Sequence, residues 1–446
     1  MTVAREHWGS RLGFIMASAG SAVGLGNVWK FPYMAGENGG GAFLIIYLGC
    51  VVFFGFALVM AELLIGRMTQ SNPVGAFRKL GGRGWPMVGA MGVLTAFIIL
   101  SFYIVVAGWT IAYMLFTVDG ALSNPDAEAL NAVFEQLTGS SWMPLLYAGL
   151  FMSLNVIVII GGIGKGIERA SKILMPLLLL ILLALVARAV TLPGAAEGIE
   201  FFLVPDFSKV TGSTFTDAIG QAFFSLSLGM GAMLTYGSYM SKERNLPVDA
   251  AAVVTLDTFI AVLAGFMVLP AMFAAGMEPG SGGVGTTFKV LPAVFDAMPG
   301  GTLFGLGFFL LLGVAALTSS VSLLETVVCY FVDEHGASRR NATIGSAVVC
   351  FLLAIPASLS FGLLSDVTIF GMTFFALMDF LSFSITLPLG GLLTALCVGW
   401  VLGPRAVRAI SNEGQISTPW AGLWLFMLRF VAPVGIGWIL VQGLIG

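Results

Sequence analysis

The sequence predicts an all-α integral membrane protein whose first and sixth spans are broken in mid-helix. Three observations lead there. The chain has 446 residues, 58% of them hydrophobic and only 10% charged, with 58 glycines, which lies far outside a soluble globular composition. Apolar runs long enough to cross about 30 Å of hydrocarbon recur along its whole length. Two of these runs are interrupted where mid-membrane should fall, by Ala22-Val23-Gly24-Leu25-Gly26-Asn27 and by Ser225-Leu226-Ser227-Leu228-Gly229-Met230-Gly231. Glycine is costly inside a helix, and a backbone that stops bonding itself cannot face lipid, so each break must line a cavity. Paired breaks in two halves of a chain point to a transporter with its site at the bilayer midplane.

Eleven spans can be placed, near residues 12–35, 42–66, 86–117, 143–162, 170–190, 214–239, 250–275, 302–332, 342–360, 378–402 and 420–445. Of the 20 Lys and Arg residues, only Lys30, Arg188, Lys209, Lys289 and Arg429 fall outside the loops that face the cytoplasm if the N-terminus does. That bias sets the orientation and checks the span count, and an odd count puts Gly446 outside. The net charge of −3 says little about partners, and no basic patch suggests nucleic acid. Cys50, Cys329, Cys350 and Cys397 all lie in apolar spans, where small buried thiols are expected and no disulfide framework is implied. The first apolar stretch is too long and elaborate for a cleaved signal peptide.

Several long motifs then agree in order. They run from Arg5, His7, Trp8, Arg11, Gly13 and Phe14 through the first break to Trp29, Phe31 and Pro32. Ser225–Gly231 follows, and then Ala316-Leu317-Thr318-Ser319-Ser320. In these the chain resembles bacterial members of the neurotransmitter:sodium symporter family. The resemblance covers nearly the whole chain. It implies a five-plus-five inverted-repeat fold of the leucine-transporter type with eleven transmembrane helices. The repeats are expected at about 10–190 and 213–402, with an eleventh helix at about 420–445, in one transport domain spanning 1–446. It also implies sodium-coupled amino-acid import by alternating access, in a bacterial plasma membrane.

A sodium ion leaving water needs several oxygens, which broken helices supply as carbonyls and half-helix ends. By resemblance one site uses Ala22, Asn27, Ser225 and Asp257 with the substrate carboxylate, and the second uses Gly20, Val23, Ala315, Thr318 and Ser319. In isolation, the hydroxyls of Thr318 and Ser319 would be read as bonding back to their own helix. Many relatives have Asn at position 257, whereas here it is Asp257, and a carboxylate in mid-span needs a partner such as a cation. Chloride-dependent relatives hold the anion with Tyr47, Gln221, a hydroxyl at 225 and a serine at 261; the last is Ala261 here. Asp257 is therefore expected to supply the negative charge, making chloride unnecessary, and to take up a proton once sodium and substrate leave. The alternative is a carboxylate permanently satisfied by backbone amides.

The resemblance places the substrate among Ser21, Ala22, Leu25, Gly26, Ile99, Tyr103, Phe224, Ser225, Ser227, Met230, Ser319 and Leu323. Its carboxylate meets the half-helix start at Leu25-Gly26 and the Tyr103 hydroxyl, and Gly24 leaves room where amine carriers have an acid. The lining is apolar and uncharged, and Met230 stands where the leucine-transporter branch has an aromatic residue, so hydrophobic amino acids from aliphatic to aromatic are expected. Lys30 and Asp379 match the outer gate pair, with Lys replacing Arg. Arg5, Trp8, Ser238, Tyr239 and Asp333 match the cytoplasmic latch. Glu62 is expected to accept amides from broken backbone, while the role of Glu325 stays open.

Gly166 and Pro176, separated by nine intervening residues in the fifth span, are either an ordinary kink or the hinge by which relatives open a water path inward. Residues 276–300 form a loop expected to fold into the outer vestibule as a lid. Rival functions are a sodium-coupled carrier of osmolytes or small neutral amino acids and a membrane sensor that binds without transporting. Quaternary ammonium compounds want an aromatic cage, and the pocket has one Phe and one Tyr. An enzyme is not expected, since His7 and His335 are the only histidines and no metal-ligand or nucleophile–base grouping exists.

Overall fold

The first break forms where Val23 turns extended and Asn27 folds back, and the sixth-span break where serine and glycine take left-handed backbone conformations that other residues resist. In a computed structural model, which describes residues 5–123, 127–279, 286–296 and 300–445, the helix Arg11–Ala22 stops at Val23, whose backbone is extended. Asn27 then turns back, its side-chain oxygen accepting from Gly24 N at 3.2 Å, and a π-turn over Gly26–Lys30 leads into the helix Phe31–Glu37. The two halves bend by 54°. In the sixth span, Gly212–Ser225 and Ala232–Ser238 flank residues 226–231, where Ser227, Gly229 and Gly231 all have positive φ. Gly229 permits close approach as well as the turn: a Cβ there would stand 2.2 Å from the Leu387 carbonyl oxygen of the tenth span.

Among the described residues, nine further helices are long and apolar enough to cross a membrane: Gly41–Thr69, Pro86–Val118, Met143–Ile160, Ile163–Ala189, Leu246–Ala274, Gly301–His335, Arg339–Leu359, Phe374–Leu402 and Ala421–Gly443. With the two interrupted helices they account for the eleven expected spans, at close to the expected places. The most extensive helix pairing joins the third span, Pro86–Val118, to the eighth, Gly301–His335. These two form a rigid support against which the breaks sit. The four cysteines are free and buried.

The polar connections are more structured than the sequence predicts. The loop read at 118–142 contains the helix Ala127–Gly139, and a second helix, Ala195–Leu203, precedes the sixth span. A small antiparallel hairpin pairs Thr368–Ile369 with Met372–Thr373 before the tenth span. In the expected lid, Thr286–Lys289 and Leu291–Asp296 are helical, whereas 280–285, 297–299 and the expected external end at Gly446 lie outside the described residues. Phe288 anchors this lid: it is fully buried, with ring centroids 5.7 Å from Trp109 and 5.0 Å from Tyr113. The lid is thus seated on the third span.

The fifth span opens with a π-turn at Ile163–Glu168 and then runs as an α-helix, Arg169–Ala189, straight through Pro176. Further π-turns interrupt the second, tenth and eleventh spans at Val51–Gly55, Leu381–Thr386, Cys397–Leu402 and Met427–Val431. None of these carries a glycine–proline signature strong enough to be read from sequence.

The breaks are held by side chains from the unbroken second span and from the broken sixth span itself. Glu62 Oε1 on the second span accepts from Gly229 N at 2.7 Å, as expected, and Gln221 Nε2 donates to the Gly26 carbonyl at 3.0 Å. The breaks also bond each other, through Ser227 Oγ to the Ser21 carbonyl at 2.8 Å. Glu62→Ala strands the Gly229 N–H in a dry interior and is expected to cost about 1–3 kcal/mol. Glu62→Gln keeps an acceptor and should cost less, a difference readable as melting temperature of the detergent-purified protein.

Candidate functional site

Where the two breaks meet, they enclose a tight cavity with only ≈ 10 Å³ of free volume, room for about one water molecule. Its floor and walls are Ala22, Gly24, Gly26 and Asn27 from the first span and Phe224, Ser225, Ser227 and Met230 from the sixth. Ile99 and Tyr103 from the third span and Ser319 and Leu323 from the eighth complete it. No Lys, Arg, Asp or Glu lines it. The glycines set its shape: a Cβ at Gly24 would stand 3.0 Å from Tyr103 Oη and 3.1 Å from Ser319 Oγ, and one at Gly26 would stand 2.5 Å from the Phe224 ring. Tyr103 Oη accepts from Leu25 N at 3.2 Å, which leaves the hydroxyl proton available to an acceptor in the cavity.

Directly behind this lining lies Asp257, fully buried on the seventh span, Leu246–Ala274. Asn27 Nδ2 donates to Asp257 Oδ1 at 2.7 Å and to Ser225 Oγ at 2.9 Å, and Ser225 Oγ donates to Asp257 Oδ2 at 2.7 Å. One carboxylate is thus tied to both broken helices by side chains, not by backbone amides. Three oxygen-bearing side chains converge here beside the cut end of a helix, a donor set of the kind that suits a hard, weakly demanding cation. Of the second expected oxygen group, Gly20 and Thr318 lie side by side: a Cβ at Gly20 would lie 3.1 Å from Thr318 Cβ. Thr318 Oγ1 there donates to the Val314 and Ala315 carbonyls at 3.2 and 3.0 Å, the back-bonding that hydroxyls adopt on a helix.

Two expected lining residues are placed elsewhere. Ser21 turns away, its hydroxyl donating to Ser322 Oγ at 2.7 Å, because one helix position separates it from the Ala22 face. Leu25 contributes its N–H to Tyr103, while its side chain faces the larger vestibule above.

Comparison with known proteins agrees with this geometry. The model of the Sodium:neurotransmitter symporter family matches residues 5–133 and 128–446. The chain belongs to that family. It is 40% identical to an uncharacterized sodium-dependent transporter, YhdH, of Bacillus subtilis (strain 168), covering 96% of this chain and 95% of that one. With an uncharacterized sodium-dependent transporter of Haemophilus influenzae it shares 39% identity, over 99% of this chain and 98% of that one. Among solved structures, the crystal structure of MhsT in complex with L-phenylalanine superposes with a TM-score of 0.90 at 46% identity, covering 99% of this chain and 100% of that one. The chain is therefore a multi-pass, sodium-dependent membrane transporter with the leucine-transporter-type fold, and not an enzyme.

In this symporter the two ends of the cavity differ. On the side of Lys30, a vestibule of ≈ 330 Å³ shares Tyr103 and Phe224 with the cavity and is otherwise largely aromatic. Lys30 and Asp379 both line it, yet they form no ion pair. The Lys30 ammonium instead lies 5.2 Å from the centroid of Phe224 and 4.9 Å from that of Phe383. A compact ammonium lacks the planar fork that would hold a carboxylate at two points, so ring faces compete for it. Phe383, which packs edge-on against Phe224 at 4.7 Å, is a roof residue that the sequence reading missed, because nothing in its apolar run distinguishes it.

The opposite end is sealed by the expected latch. Arg5 pairs with Asp333 at 2.6 Å, donates to Ser238 Oγ and to its carbonyl, and lies 4.8 Å from the Tyr239 ring centroid. Trp8 Nε1 donates to the Tyr236 carbonyl at 3.0 Å. Glu325 proves to belong here: buried, it accepts from Tyr239 Oη at 2.6 Å and pairs with Arg339. Gly26→Ala is expected to drive a methyl into the Phe224 ring and lower affinity for a ligand in the cavity at least tenfold, a loss of about 1.4 kcal/mol or more, with little change in melting temperature. Equilibrium binding to the purified variant measures it.

Proposed function

We propose that the protein imports hydrophobic L-amino acids, from aliphatic to aromatic, by sodium-driven alternating access. The observation that carries this is an uncharged cavity between two broken helices with one buried carboxylate, Asp257, bonded to Asn27 and Ser225 behind it. One sodium is held by Ala22, Asn27, Ser225 and Asp257 together with the substrate carboxylate, and a second by Gly20, Val23, Ala315, Thr318 and Ser319. The amino acid directs its carboxylate to Gly26 and Tyr103 and its ammonium to carbonyls near Ala22, Phe224 and Ser227, and its side chain fills the space bounded by Ile99, Met230, Ser319 and Leu323. Metal and substrate carboxylate act as mutual counter-charges, which is what couples them. An uncharged lining leaves a Lys, Arg, Asp or Glu side chain unpaired in a dry site, and so rejects it. The bound phenylalanine of MhsT, at 46% identity, supports a cavity for apolar side chains.

Asp257 supplies in place the negative charge that chloride gives other family members, and Ala261 offers no hydroxyl for an anion. Lys30 and Asp379 form the outer gate and the Arg5 group the inner one. Residues 10–190 and 213–402 are the two inverted repeats of a single transport domain, with the eleventh helix outside them. The protein sits in a bacterial plasma membrane with the N-terminus inside, an orientation that the charge bias of the loops supports. Each sodium moving inward then contributes about 2.3 kcal/mol per 100 mV in addition to its concentration gradient.

The test is equilibrium binding of labelled L-phenylalanine, L-leucine, glycine and betaine to purified protein. Binding of the first two is expected in sodium, with more than tenfold weaker binding when potassium or choline replaces it, and no change when gluconate replaces chloride. Equal binding in potassium would overturn the reading. Glycine or betaine outcompeting both hydrophobic amino acids would favour the osmolyte carrier, and sodium-dependent binding without counterflow in liposomes would favour a sensor. Asp257→Asn is expected to raise the sodium concentration needed for half-maximal binding tenfold or more, measured by titrating sodium at fixed substrate.

A further inference from the structure

Two acids at the inner face take no part in the cavity or in the contacts of Arg5. Glu168, almost wholly buried at the end of the π-turn that starts the fifth span, reaches across to the first span. Its Oε2 accepts from Gly9 N at 2.7 Å, and its Oε1 accepts from Ser10 Oγ at 2.8 Å. Ser10 is the N-cap of the helix Arg11–Ala22 and accepts from Gly13 N at 3.0 Å. In the other direction, Glu6 Oε2, from the segment leading into the first span, accepts from Ile163 N at 2.6 Å, the first residue of the fifth span's π-turn. Each segment therefore caps the helix start of the other with a carboxylate.

The physics favours this exchange only while the two ends are together. Helix N-termini carry partial positive charge and unpaired N–H groups, so two of them side by side favour negative charge between them. Glu168 also accepts from Lys172 Nζ at 2.6 Å, one turn along its own helix. That partner stays with it if the first span moves off, so the carboxylate is neutralised in either arrangement. Gly13 makes the closed arrangement possible: a Cβ there would lie 2.2 Å from Glu168 Oε1. The helix so gripped ends at Ala22, whose backbone lines the cavity, so its inner end cannot swing without disturbing the site.

We propose that this reciprocal pair of caps is the clamp that holds the inner half of the first span shut against the fifth. Glu168 is its positioning residue and Gly13 the notch that admits it, and the inner pathway opens when Glu168 lets go of Gly9 and Ser10. The clamp rests on the alternating-access reading above, but it is tested without substrate. Hydrogen exchange read by mass spectrometry on full-length protein in lipid nanodiscs compares wild type with Glu168→Ala, Glu168→Gln and Gly13→Ala. Segments 9–22 and 163–168 are expected to exchange about tenfold faster or more in Glu168→Ala and Gly13→Ala, from loss of charge-assisted hydrogen bonds. Glu168→Gln, which keeps an acceptor for Gly9, should fall between, and the ninth span should be unchanged. If Glu168→Ala does not fold, Gly13→Ala, which leaves the acid in place and displaces it sterically, carries the test. Wild-type exchange over 9–22 in the variants that fold, or acceleration spread equally over all spans, overturns the clamp. Since no amino acid is present, failure of the substrate assignment would leave this result standing.

Discussion

A peptide group that has lost its helical partner cannot remain bare in a membrane interior, and the rest of this structure is arranged around that fact. Two helices are cut at mid-depth, and each cut frees N–H and carbonyl groups whose desolvation would cost several kcal/mol apiece. The structure divides them. Some are bonded permanently, as Gly229 N is by Glu62 and the Gly26 carbonyl is by Gln221. Others are left facing a small enclosed space, where a ligand that brings its own charges can use them. The unbroken third and eighth spans supply the apolar walls, which need no accommodation of their own.

In the proposed function, Asp257 turns this geometry into coupling. Its bonds to Asn27 and Ser225 join one unbroken helix to both broken ones, so anything that competes for the carboxylate acts on all three at once. A cation placed among these oxygens would replace hydrogen bonds by shorter ion–oxygen contacts, drawing the first, sixth and seventh spans to a common point. Electrostatics inside the bilayer is unforgiving, and a single buried charge with movable partners is enough to bias a large rearrangement.

The two ends of the pathway are built from different physics. The Lys30 end is aromatic and roomy, with the lysine resting over ring faces. Contacts of that kind are individually weak and easily exchanged. The Arg5 end is tied by charge-assisted bonds at Arg5–Asp333, Arg339–Glu325 and Glu168 with the first-span cap. These reward close approach and weaken when water enters. The two ends thus differ in which contacts tolerate hydration.

The sequence by itself determined the fold class, the span count and the location of the breaks, because hydropathy and a glycine in mid-span are local signals that the bilayer makes unambiguous. It also named most of the cavity lining, since the break motifs carry those residues in order. Only the tertiary structure decided that Ser21 points to the eighth span while Ala22 faces the cavity, that Phe383 roofs the site, and that Lys30 sits over rings instead of on Asp379. It alone disclosed the helices hidden in the loops and the π-turns, where one extra residue per turn leaves no mark in composition. Side-chain direction, and the partnership of residues far apart in sequence such as Glu168 with Ser10, depends on how helices rotate against each other, and that is a property of the packed bundle, absent from any one segment.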